Sequence, residues 1–142
     1  ADDSEATDFT EVGFTGPLPL YKNWFEEGYV TRPNDQGACG SCWAFSAAST
    51  LESLALITKS ESTGALQRYS IQQLMDCDQQ NFVCTGGWMY EAYEYTRDHG
   101  IMLEREYAPY KASTGSCDFE QIKQKWHFKN TGMQEHDEMT NE

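Results

Sequence analysis

The chain has no long apolar run. Its longest are four residues, such as Leu54-Ala55-Leu56-Ile57, against the roughly 20 that span a bilayer, so no transmembrane helix is expected. Basic residues are scarce too, with 10 Lys and Arg against 23 Asp and Glu. A phosphate backbone is held by a basic stripe, and without one a nucleic-acid partner is not expected. The scarcity is sharpest at the ends: residues 1–11 carry five acids and 133–142 four, with no Lys or Arg in either. Residues 12–132 hold 14 acids and 10 bases. Most of the −13 net charge therefore sits in two solvated tails rather than on an acidic working surface. The opening Ala-Asp-Asp-Ser-Glu lacks the basic and apolar regions of a signal peptide, so a secreted form would already be processed at this point.

What is present is one domain's worth of chain, 142 residues, or a piece of something larger. Five cysteines are an odd number, which for an extracytosolic protein implies pairs plus one free thiol. Spacing alone leaves the pairing open.

The most informative stretch is Gln36-Gly37-Ala38-Cys39-Gly40-Ser41-Cys42-Trp43-Ala44-Phe45-Ser46. Gly37 and Gly40 make a tight loop, and from Ser41 to about Thr58 the chain reads as a buried helix. Its apolar residues Ala44, Phe45, Ala48, Leu51, Leu54, Ala55 and Ile57 fall on more than one face. Cys42 lies in the first turn, where unsatisfied N–H groups and the positive end of the helix dipole favour an anion. That anion is the thiolate, the form that attacks carbonyl carbon. Gln36 turns its NH2 across the glycine loop toward the same point. With the Cys42 N–H it makes two donors for the oxyanion of a tetrahedral intermediate. A Cys-x-x-Cys pair also occurs in dithiol and zinc sites, but a thioredoxin-like site follows a strand and carries its Trp before the first Cys.

The eleven residues from Gln36 resemble the nucleophile segment of the papain-like cysteine proteases, Gln-Gly-x-Cys-Gly-Ser-Cys-Trp-Ala-Phe-Ser. The resemblance continues through Leu18-Pro19 to Thr31, where Asn23 and Phe25 replace the usual Asp and Arg. It extends through Ser70 to Cys77, through Cys84-Thr85-Gly86-Gly87, and from Gly100 to Tyr110 with one extra residue. Thr85 stands where Asn is usual. It implies an α+β fold: a mainly helical left domain and the first strand of a β-rich right domain, whose remainder is absent. It divides the chain into an acidic extension or linker (1–17), the left domain (18–120), and a crossover, first strand and acidic tail (121–142). It also implies disulfides Cys39–Cys84 and Cys77–Cys117, Cys42 left free, and a secreted, lysosomal or vacuolar location.

For the site, the resemblance implies Cys42 and Gln36 as catalytic and Gly40, Ser41, Trp43, Gly86, Gly87, Trp88 and Met89 as substrate contacts. Gly87 pairs with the substrate main chain, while Trp88 and Met89 wall the pocket for the second residue before the scissile bond. Adjacent glycines by themselves mark a close backbone approach. The alternative for Trp88 and Met89 is that they start an amphipathic helix and pack inward. No cofactor or metal is implied.

Elsewhere, Ser70-Ile71-Gln72-Gln73 is a capping box that opens a short helix presenting Cys77. The helix from Trp88 to Thr96 closes at Asp98-His99-Gly100, with His99 acting as a helix C-terminal cation. Trp24 is expected to be a core anchor, and Trp126-His127-Phe128-Lys129 alternates as a strand that needs partners outside this sequence.

Histidine supplies the remaining gap. A thiol protease needs an imidazole base and a group to orient it, and the resembled family places them roughly 130 to 150 residues beyond the nucleophile, past Glu142. None of His99, His127 and His136 suits the role, so the expected partners are a peptide or protein substrate and a C-terminal half or second chain bearing His and Asn. The rival expectation is a catalytically silent scaffold or subunit.

Overall fold

The computed structural model describes residues 17–58 and 64–118 and the backbone of 127 and 128. The acidic stretches at either end, including His136, lie outside the described residues, as do the side chains of Trp126 and His127.

Helix α1 spans Cys42–Ile57 and α2 spans Ile71–Cys77. After a 3-10 turn at Val83–Thr85, α3 runs over Met89–His99. Strand β1 (Ile101–Met102) pairs antiparallel with β2 (His127–Phe128). An isolated bridge between Tyr69 and Leu103 continues the ladder on the other side.

Small residues let α1 approach its neighbours closely. Ala44, Ala47, Ala48 and Ala55 are buried on it together with Trp43 and Leu51, and α1 packs against both α2 and α3. Leu74 and Met75 of α2 and Ala92 of α3 complete this core. On the outer side the hydroxyls of Thr50 and Ser53 bond back to the carbonyls of Ser46 and Ser49 at 2.9 and 3.2 Å, so polar residues sit in the helix without an unmet donor. The expectation of a helix buried on more than one face is corrected in its last turns. Leu54 and Ile57 are 40% and 43% exposed, and no described element covers them.

Three buried side chains replace missing backbone partners. Gln72 Nε2 donates to Asp76 and to the Ser113 carbonyl at 2.7 and 2.8 Å, and its Oε1 accepts from Lys111 N at 3.0 Å. Gln73 Oε1 accepts from Met102 N at 2.7 Å, and its Nε2 donates to the Gly100 carbonyl at 3.1 Å. The capping box is thus only half formed. Ser70 Oγ accepts from Gln73 N at 3.0 Å, but Ser70's own amide is taken by the Met102 carbonyl at 2.8 Å, which leaves Gln73 to serve β1. The third is Glu52, which accepts from Tyr69 N at 2.8 Å and from Thr31 Oγ1 at 2.7 Å.

Two disulfides staple the loops to this core, Cys39–Cys84 and Cys77–Cys117. Beside the second, Tyr107 is buried with its hydroxyl bonded to Asp76 at 3.2 Å, and burial pushes its phenol up to about 12.

Two further expectations are corrected. Trp24 is no core anchor among the described residues. It stands half out of the surface with Tyr29 edge-on at 5.4 Å and the Lys22 ammonium 4.0 Å over its ring, in a local turn where Asn23 Oδ1 accepts from Phe25 N at 3.0 Å. The strand at 127–128 does find a partner within this chain, since Ile101 and Met102 follow the Gly100 cap of α3 and offer it a free edge.

Candidate active site

Cys42 is the first residue of α1, is exposed, and is the free cysteine of the five. Its approach loop is built by side chain–backbone bonds. Asp35 Oδ1 accepts from Gly37 N at 2.8 Å and Gly37 takes φ +65°, which closes the turn that returns Gln36 toward the helix. The Gln36 amide is then held by donation from Nε2 to the Cys39 carbonyl at 2.7 Å. An NH2 group has two N–H bonds, so this anchoring uses one and orients the other.

The loop is joined to the glycine segment at two adjacent residues. Cys39 carries the disulfide to Cys84, and Gly40 N donates to the Cys84 carbonyl at 2.9 Å. A Cβ on Gly40 would sit 2.5 Å from that same carbonyl oxygen, so the close approach requires glycine. At the second residue of α1, Trp43 is buried and donates its indole N–H to the Val83 carbonyl at 3.0 Å. Val83 takes φ +54°, a strained conformation for a β-branched residue, at the point where the chain rises to present Gly86 and Gly87.

Gly86 adopts φ +118° with open space around its Cα, whereas Gly87 is packed against the protein itself. A side chain there would strike Asn81 and the Trp43 ring. The close approach expected at the double glycine is therefore partly internal. Asn81 is buried and clamps the next residue, accepting from Trp88 N at 2.6 Å and donating to the Trp88 carbonyl at 3.2 Å. Asp78 holds the Asn81 amide in turn at 2.6 Å. With their backbone so placed, Trp88 and Met89 are 54% and 41% exposed at the start of α3 rather than packed inward.

His99 ends α3, its ring stacked on Tyr95 and its Nδ1 3.1 Å from the Tyr95 carbonyl. Among the described residues no cluster of His, Cys, Asp or Glu is placed to hold a metal ion, and no helix is long and apolar enough to cross a membrane. Sequence reasoning passed over Glu52, Asn81 and Tyr110. Glu52 lies at helical spacing from buried Ala48 and Ala55, which marks it as inward-facing. Asn81 leads into a tight turn, where such side chains bond backbone. Tyr110 falls in the resembled segment ending Tyr107-Ala108-Pro109-Tyr110, but nothing local pointed to its partners, which are distant in sequence.

The family model for the papain family cysteine proteases matches residues 18–142. The chain is 43% identical over 105 residues to caricain of Carica papaya, covering 74% of this chain and 29% of that protein. It is 42% identical over 101 residues to zingipain-1 of Zingiber officinale, covering 71% and 44%, and 42% identical over 104 residues to procathepsin L of Rattus norvegicus, covering 72% and 30%. Among solved structures, the Carica candamarcensis cysteine protease CMS1MS2, determined in complex with E-64, superposes with TM-score 0.68 at 34% identity, over 81% of this chain and 51% of that one. The ragweed pollen allergen Amb a 11 in its proform gives TM-score 0.69 at 41% identity, over 80% and 33%. The chain thus spans less than half the length of these three curated relatives. Its helical core and short ladder form part of the α+β papain fold, without that fold's second half. By sequence and by fold, the chain belongs to the papain family of cysteine proteases.

Proposed function

We propose that this chain supplies the nucleophile and oxyanion donors of a cysteine peptidase. The observation that carries the reading is the exposed free thiol of Cys42 at the start of α1, beside a Gln36 amide pinned to the Cys39 carbonyl. The Cys42 thiolate attacks a peptide carbonyl, and the oxyanion that develops accepts from Cys42 N–H and from the second N–H of Gln36. Collapse expels the amine and leaves a thioester on Cys42, which water hydrolyses. The proton carrier for both steps is an imidazole oriented by an Asn, supplied from a C-terminal half or second chain. Gly40, Gly86 and Gly87 line the substrate path, with buried Ser41 and Trp43 behind them. Gly87 pairs with the peptide main chain, and Trp88 and Met89 wall the pocket for the second residue before the scissile bond. In this reading residues 18–120 are the left domain and 121–142 the crossover into the right one. Two disulfides favour an oxidising route, to secretion or to a lysosome or vacuole.

The test is hydrolysis of a peptide amide by the full-length protein. Turnover that disappears in Cys42→Ala supports the reading. A correctly folded full-length protein with no turnover supports the silent-scaffold alternative instead.

A further inference from the structure

Ser41 is the N-cap of α1, yet its hydroxyl caps nothing. Serine at this position ordinarily accepts from the second or third amide of the helix. Here Ser41 Oγ lies 2.6 Å from the hydroxyl of Tyr110, a residue 69 positions away, and Ser41 is completely buried. The Tyr110 hydroxyl donates to the Gln36 carbonyl at 2.7 Å. A phenol has one proton to give, so the proton in the Ser41–Tyr110 bond comes from Ser41. Its ring meets Phe45 edge-on at 4.9 Å, one turn further along α1. The next residues are fixed independently: Lys111 N is held by Gln72 of α2, and Ala112 Cβ lies 3.8 Å from where a Cβ on Gly37 would be. Tyr110 thus touches both ends of the nucleophile loop from a segment anchored to the core.

The consequence lies in the amides. Ala44 N and Phe45 N are satisfied by the Ser41 carbonyl at 2.9 and 3.2 Å. Cys42 N and Trp43 N, the first two of the helix, have no carbonyl four residues earlier within it. A capping serine would compete for the second of them. The bond to Tyr110 uses the Ser41 O–H and fixes the side chain in an orientation in which its free lone pairs cap neither amide.

We propose that Tyr110 is a positioning residue for the nucleophile, holding the Ser41 hydroxyl off the cap of α1 and pinning Gln36 so that the first amides of the helix stay open to negative charge at Cys42. The inference rests on the reading of Cys42 as the nucleophile. No group transfer is involved at Tyr110, whose hydroxyl acts only by donating to the Gln36 carbonyl.

Tyr110→Phe tests it, because the ring remains on Phe45 and only the hydroxyl is lost. In the full-length protein, Cys42 alkylation by iodoacetamide is followed against pH, alongside hydrolysis of a peptide amide per titrated thiol. The expected result is an alkylation profile moved to higher pH and a kcat lowered about three- to tenfold, the size of one hydrogen bond's effect, with KM held. Ser41→Ala added to Tyr110→Phe is expected to recover part of that loss, since alanine cannot cap. A lowered thermal stability with the profile and kcat at wild-type values overturns the proposal, as does a full additional loss from Ser41→Ala. Hydrogen exchange on the unsubstituted protein tests the same point without a variant: fast exchange of the Cys42 and Trp43 amides is expected, and protection of Trp43 N–H overturns it. An unreactive Cys42 or absent turnover in the wild type is a different failure, that of the peptidase reading itself.

Discussion

Gly40 N donates to the Cys84 carbonyl at 2.9 Å, immediately beside the Cys39–Cys84 disulfide. One covalent and one hydrogen bond therefore fix the nucleophile loop against the glycine segment. Because a Cβ on Gly40 would lie 2.5 Å from that carbonyl oxygen, and the obstacle is backbone rather than a flexible side chain, Gly40→Ala must push the two loops apart. The expected cost is about 1–3 kcal/mol of stability together with a loss of Cys42 reactivity. Denaturant titration and alkylation rates check it, and an unchanged pair of values would contradict the description of the junction.

Asn81 couples the core to the exposed aromatic at Trp88. Asn81→Ala removes the acceptor of Trp88 N and leaves that amide and Asp78 Oδ2 unmatched, at a cost of about 1–3 kcal/mol. In the proposed reading of Trp88 as a wall of the substrate path, the clamp acts there rather than on the thiol, so the peptide-amide KM is expected to rise more than kcat falls. A pure kcat effect would place Asn81 in a different role.

Glu52 has an acidity weakened chiefly by burial, against the opposing pull of its bonds to Thr31 and Tyr69 and the charge of Arg68. A carboxyl whose folded value is raised holds its proton longer in the folded state. Its contribution to stability is complete below the ordinary glutamate range and is lost as pH rises through the raised value. Glu52→Gln retains both bonds, with Nε2 donating to Thr31 and Oε1 accepting from Tyr69, and removes the charge. The expected outcome is a flatter stability profile as pH rises above the ordinary glutamate range, and equal or greater stability at neutral pH. Glu52→Ala instead strands the Tyr69 amide and costs about 1–3 kcal/mol. Urea unfolding across that rise in pH decides; an undiminished slope in Glu52→Gln would assign the pH dependence elsewhere.

Ala112 takes φ +52°, a conformation that disfavours any Cβ. Ala112→Gly relieves that strain at the smaller entropic cost of glycine, for a net gain of about 0.5–1 kcal/mol. A lower denaturation midpoint would show that the alanine methyl packs more usefully than its backbone is strained.

Much of this architecture was legible because it is local. The glycine loop and the start of α1 near Cys42 follow from short-range pattern, the family from the residues around Cys42, whereas the exposed start of α3 was implied by the resemblance and not by pattern. The pairing of the cysteines was not legible from spacing, since loop geometry decides which thiols meet. Three kinds of feature escaped for physical reasons. Gln73 and Gln72 resemble surface residues until their backbone partners are known. Trp24 looks like core on hydrophobicity alone, but it packs locally on Tyr29 and Lys22 and stays half exposed. The partner of β2 is two apolar residues long, too short for alternation to reveal. Tyr110 was legible as part of the resembled Gly100–Tyr110 segment, but not its partners, because it joins segments that the chain separates.

The central claim is that Cys42 is an activated nucleophile in a site made to bind peptide. Treating the folded full-length protein with an epoxysuccinyl peptide, and locating the adduct by mass spectrometry, tests it most directly. The account predicts rapid labelling of one equivalent, on Cys42, with peptide hydrolysis lost in proportion. A folded, complete protein whose Cys42 stays unlabelled would contradict it.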